Sequence, residues 1–286
     1  MAVYKRNYAP YSGRLTSRWP RFFILTRYSY ARLFQSRFLM LLISLCLVYP
    51  LGCIAFVYLS HNASFLRLIN FRGTELLSID GRFFYTFCVV QGNLACLLTA
   101  FTAPALVSPD IVNGGMQLYL CRPFSRAEYV LGKLTGLFLL LSLVTWVPGL
   151  LIFVIKSSLA GWGFVRAMDW LAGGLLLGLV IWVLLLSLTA LAVSAWVKWK
   201  NAAGALLLGI YYIGAGFGTA VNAVFHTNLG SLINLNHVMY VVWADLLRYD
   251  NGSETPLRHA CVVLVLASAL CLWLLSRRVR GFEVVK

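Results

Sequence analysis

Hydrophobic residues along this chain run in long unbroken stretches, with neither strand alternation nor a single helical stripe. Six stretches hold about 20 apolar residues each, the length that crosses a bilayer as helix: 38–59, 83–107, 134–155, 171–196, 203–225 and 257–275. The last carries Arg258 and His259 at its edge, where a long side chain can snorkel to the headgroups. A seventh stretch, 231–247, contains Asn234, Asn236, His237 and Asp245. It is too short and polar to span, and reads as a re-entrant or interfacial helix. Ahead of the first span, residues 20–37 have an amphipathic pattern, with Phe23, Tyr30 and Phe34 on one face and Arg21 and Arg32 opposite. A helix lying in the headgroup layer fits it, and so does a basic anchor for the first span. The pattern as a whole predicts an all-α integral membrane protein. It divides into an N-terminal segment 1–37, a six-span domain 38–275 and a basic tail 276–286.

Composition agrees: 60% of the 286 residues are hydrophobic, only 12% are charged, and mean hydropathy is +0.81. Soluble domains are far more polar. The net charge of +15 would suggest nucleic acid in a soluble protein; here it follows topology. With six spans both termini share a side, and that side holds 17 of the 24 Lys and Arg against 7 on the other. The positive-inside rule therefore puts both termini in the cytoplasm, with the excess charge against anionic lipid and no nucleic-acid partner. A seventh span would send Arg277, Arg278 and Arg280 outside. Six of the seven cysteines lie within spans and none forms a CxxC, so neither a disulfide framework nor a zinc site is expected.

The spans carry no Asp, Glu or Lys, and no Arg except the edge Arg258. Ion-coupled transporters and intramembrane metalloproteases need such groups, so transport here would draw its energy from another chain, and an embedded enzyme is disfavoured. What the spans do contain is small and weakly polar side chains. Gly214 and Gly218 with Asn222, and Ala205 with Gly209, make small-xxx-small pairs suited to close helix packing. Gln91, Asn93, Thr99 and Asn222 either serve ordinary packing or line a weakly polar translocation path. Pro148 should kink the third span. All four histidines fall on the expected outer side, where interfacial placement explains them better than a metal cluster, so no metal site is assigned.

The segment from Ala103 to Lys133 has the densest helix punctuation. Asp110 after Pro109 is placed to cap a short helix. Pro123 then breaks the chain, and Ser125-Arg126-Ala127-Glu128 has capping-box spacing. The expectation is a cytoplasmic elbow leading into the third span. Gly132-Lys133 is no phosphate-binding loop, because Leu134 stands where Ser or Thr is required and Ala127 where the first glycine belongs. Asn113 to Gln117 lacks a cassette-sized domain around it, so this chain binds no ATP in its own fold.

The run Leu120-Cys121-Arg122-Pro123-Phe124-Ser125-Arg126-Ala127-Glu128-Tyr129, with Gly132-Lys133 after it, resembles the "SRP-(I/L)-SR-x-E-Y-xx-GK" pattern of type-2 ABC transporter permeases. Cys121 and Phe124 depart from the usual Ser or Ala and aliphatic. The basic tail from Arg277 and the span layout are similar as well. The motif covers about 15 residues, the architecture the whole chain. The resemblance implies a permease in a bacterial cytoplasmic membrane, paired with a second permease, an identical copy being favoured. It also implies a separate cytoplasmic ATPase that holds the ATP and Mg and engages the elbow. Asp110, Arg122, Pro123, Phe124, Ser125, Arg126, Glu128 and Tyr129 would then couple the two chains, with Phe124 or Tyr129 filling the ATPase groove. Most such permeases export their substrate. A non-transporting membrane scaffold, or an assembly factor for a membrane enzyme, is the alternative.

Overall fold

A computed structural model describes residues 21–61, 79–112, 126–226 and 228–278. Helix is the only regular structure among them. In chain order the helices are α1 (Arg21–Phe34), α2 (Arg37–His61), α3 (Gly81–Val112), α4 (Arg126–Val144), α5 (Trp146–Ala160), α6 (Trp162–Ala167), α7 (Asp169–Trp196), α8 (Lys200–Leu208), α9 (Gly214–Phe225), α10 (Leu235–Leu246) and α11 (Leu257–Arg278). A π-helical turn, Gly209–Ile213, joins α8 to α9, and a 3-10 turn, Leu229–Ile233, precedes α10.

Six segments are long and apolar enough to cross a membrane: Arg37–His61, Gly81–Ser108, Ala127–Ala160, Asp169–Trp196, Lys200–Phe225 and Leu257–Arg278. The chain is thus an all-α, multi-pass membrane protein. Every predicted span is present, most of them a turn longer than the apolar stretch. The third differs most, running 34 residues as two helices, α4 and α5. The break falls at Thr145 (φ −103°, ψ −88°), not at Pro148 itself. A proline lacks the N–H that would bond four residues back and its ring crowds that carbonyl, so the distortion appears on the N-terminal side, around Val144 and Thr145.

The spans are packed around α3 and α7. Trp182 of α7 donates its indole N–H to the Gly92 carbonyl of α3 at 3.0 Å. Trp243 of α10 sits against both helices and meets Trp182 edge-on, with ring centroids 5.6 Å apart. Two glycines make the room. A methyl at Gly92 would lie 2.5 Å from the Trp243 ring, and one at Gly178 would lie 2.7 Å from it. The fourth span is the most buried of the six, while the fifth and sixth turn most of their apolar side chains outward.

The segment 231–247 dips into the bundle and returns. After His226, whose left-handed φ of 48° ends α9, the chain doubles back along that helix. Gly230 lies directly on Gly218, where a methyl would meet the Gly230 carbonyl oxygen at 2.5 Å. Asn236 then donates to the Tyr211 carbonyl at 3.1 Å, about midway along the fifth span. From there α10 climbs to Leu246 and Leu247, whose carbonyls crowd Gly174 and Gly81 near the first turns of α7 and α3. At 12 residues α10 is about 18 Å long, too short to span. Asn234 caps its buried end by accepting from the Asn236 and His237 amides.

Candidate functional site

The end of the molecule from which the elbow emerges carries a buried polar cluster. Asp110 closes the second-span helix and Lys133 lies two turns into α4. Lys133 Nζ is 2.8 Å from Asp110 Oδ2 and donates to the Leu106 carbonyl at 2.7 Å. The Tyr129 hydroxyl donates to the same carboxylate oxygen at 3.2 Å. The charged pair is almost fully buried, with side chains 5% and 10% exposed. Breaking such a pair strands a charge in a poor solvent, at a cost of about 3–5 kcal/mol. The end of α3 and the start of α4 are therefore held together on either side of residues 113–125.

Two expectations for this region change. Asp110 does not cap a new helix: α3 runs on through Pro109 to Val112, and the carboxylate is turned to Lys133. A proline near a helix end removes a single bond, which the helix survives when its last turn is packed. Tyr129 is not an exposed anchor for another protein. It is 3% exposed and faces Asp110. Among the described residues α4 runs from Arg126, with Glu128 half-buried in its first turn; the Ser125 end of the capping box lies outside them. Arg122, Pro123, Phe124 and Ser125 lie outside the described residues, as does the side chain of Arg126.

Helix α1 braces the same corner. Thr26 donates its hydroxyl to the Gly132 carbonyl at 2.9 Å, and Tyr30 donates to the Gly136 carbonyl at 2.8 Å. Both acceptors are glycines of α4, so α1 can approach closely; a methyl at Gly136 would touch Thr26 at 3.6 Å. The face of α1 against the bundle is Leu25, Thr26, Ser29 and Leu33, while Phe23 and Phe34 stay exposed. Of the aromatic face that the sequence pattern predicts, Phe23 and Phe34 are exposed and Tyr30 turns to α4. The pattern missed the packed face because two of its four residues are hydroxylated.

The other singled-out polar residues are dispersed. Gln91 is fully buried, and its amide nitrogen donates to the carbonyls of Val144 at 2.6 Å and Cys46 at 3.1 Å. These are the two carbonyls left without helical donors by Pro148 and by Pro50, each four residues further on. Gln91 thus ties the proline-interrupted first and third spans to the second, and lines no path within this subunit. Thr99 is also fully buried, bonded to its own helix at the Ala95 carbonyl. Asn222 accepts from the Gly230 amide at 2.7 Å, holding the returning chain. Asn93 and Asn222 are half-buried, unlike Gln91 and Thr99; Asn93 accepts from the Tyr212 hydroxyl and donates to that of Tyr240, both at 2.9 Å.

The packing glycines divide in the same way. Gly218 serves a seam within the subunit, against Gly230, and Gly214 lies 3.7 Å from the Ile233 carbonyl oxygen by the position of an added methyl. Gly209 has only Ile213 of its own turn nearby, and Ala205 is exposed. A tighter contact that patterning passed over is Gly204, which sits on the Ala100 carbonyl that Pro104 leaves without a helical donor.

Among the described residues no three His, Cys, Asp or Glu side chains cluster as a metal would need. His237 lies 3.3 Å from both Ser253 and Thr255, and burial pushes its imidazole below the usual histidine range. It fastens the loop before α11 to the re-entrant helix. Compared with known proteins, the chain matches no family model, and no curated protein is significantly similar to it.

Proposed function

We propose that the chain is the transmembrane permease subunit of an ABC transporter, exporting a substrate across a bacterial cytoplasmic membrane with ATP hydrolysed, with Mg, on a separate cytoplasmic ATPase. The observation that carries the reading is the convergence of motif residues at the elbow's base. Tyr129 and Lys133 of the E-Y-xx-GK run meet on Asp110, and the Gly132 carbonyl is held by α1. A segment that receives a push from another protein must be mounted stiffly, or the displacement is lost in local bending. The helices on either side of residues 113–125, α3 and α4, and α1 beside them are joined by polar contacts. The spans hold carboxylates only in the first turns of the third and fourth, at Glu128 and Asp169, and a span interior without them fits energy supplied from outside the chain. A second copy of the chain would complete the path against the exposed fifth and sixth spans.

Affinity purification in mild detergent tests the proposal. An ATP-hydrolysing chain should co-purify in fixed ratio with the permease, and identification of the bound proteins by mass spectrometry shows whether it does. A membrane enzyme retained in its place would favour the assembly-factor alternative.

A further inference from the structure

At the elbow end of the bundle a groove opens sideways between α2, α3 and α8, with a cavity of about 440 Å³. That is the size of an ordinary small-molecule site. Its floor is made of small residues: Ala100 and Ala105 on α3, Gly204 and Ala205 on α8. The floor is low because Gly204 rests on the Ala100 carbonyl, where any side chain would push α8 away. Its walls are large and apolar. Phe38 and Phe101 meet edge-on at 5.3 Å, both substantially exposed, with Leu208 beyond them.

The polar groups are all at one rim. Ser36 immediately precedes the first span, and Lys200 and Asn201 open the fifth. No carboxylate lines the groove, and Lys200 has no acidic partner among the described residues. Lys198 and Arg37 stand nearby in sequence, both exposed. Exposed Trp196 and Trp199 mark this level as the membrane–water boundary, where tryptophan collects. An unpaired cation and an amide at headgroup depth, above an apolar channel running toward the bilayer centre, match one chemistry: an anionic phosphate ester carrying a long hydrocarbon chain.

We infer that this groove is a binding site for one anionic phospholipid of the elbow-side leaflet. Its phosphate lies against Lys200 and Asn201, and one acyl chain runs over Gly204 and Ala205 between Phe38, Phe101 and Leu208. Bound there, the lipid bridges the first, second and fifth spans. The inference does not rest on the transport proposal and holds equally for an assembly factor.

Native mass spectrometry of the full chain, released from bilayers of equal parts phosphatidylglycerol and phosphatidylcholine, tests it. Wild type should retain phosphatidylglycerol in preference to phosphatidylcholine. Lys200→Gln removes one charge at the membrane surface and should lower that preference about fivefold. Ala205→Trp fills the groove and should abolish retention with thermal unfolding unchanged. Equal retention of the two lipids by wild type overturns the inference. So does an unchanged preference in Lys200→Gln, whose exposed side chain is not needed for folding. If Ala205→Trp instead converts a dimer to monomers, the groove is covered by a second copy of the chain and the lipid site is wrong.

Discussion

Gln91 shows how one side chain lets a membrane bundle keep prolines in its spans. In hydrocarbon no water can take the carbonyl that a proline frees, so the protein must supply a donor. The two amide hydrogens of Gln91 go to Cys46 and Val144, one for Pro50 and one for Pro148. Gln91→Leu should therefore cost about 2–4 kcal/mol, from two buried acceptors left unpaired. In a Pro148→Ala background the restored amide at residue 148 can bond Val144, and the same substitution should cost roughly half as much. A double-mutant cycle on detergent-unfolding midpoints measures this, and strict additivity would show that Gln91 works by packing alone. The amide could be read in the sequence as an unusual residue in an apolar run. Its partners could not, because they are main-chain atoms on other helices, brought there by the fold. Asp110 illustrates the same limit: its position after Pro109 suggests a cap, and only the approach of α4 gives Lys133 and Tyr129 to its carboxylate.

Among the elements, the spans were the most legible, since their length and apolarity come from the bilayer and need no knowledge of neighbours. Pro148 predicts a kink in the third span, and the structure sets the break at Thr145, the side on which the missing bond is felt. That 231–247 holds a helix too short to span is also legible, from polarity and length. Its seat is not. Gly92 and Gly178 make room for Trp243, and nothing in a single sequence pairs a tryptophan with glycines so distant. The seam between α9 and the returning chain yields a contrast within one helix. A side chain at Gly218 strikes the Gly230 carbonyl, whereas one at Gly216 meets nothing within 4 Å. Gly218→Leu should lower the thermal unfolding midpoint in detergent and free the 228–234 segment to hydrogen exchange. Gly216→Leu should do neither. Equal behaviour of the two variants would mean that the chain does not double back along α9.

For the whole molecule, the proposed function would have work received at the end where α3 and α4 meet on Asp110. The motif that suggested coupling turns out to contain two kinds of residue. Tyr129 and Lys133 are spent inside the subunit on Asp110, so under the proposed function docking on an ATPase would rest on the residues around Phe124. Spacing alone could not separate them, because a buried tyrosine and a docking tyrosine look alike in a motif. The most direct measurement of the central claim is a cross-link. Single cysteines at 124 and at 251, in a background lacking the native exposed thiols, carry a short photoreactive linker in intact membranes. The proposal predicts an adduct from position 124 to an ATP-hydrolysing cytoplasmic chain, one whose yield changes when ATP hydrolysis is trapped, and none from position 251. No ATPase adduct at 124, or the same adduct at 251, would contradict it.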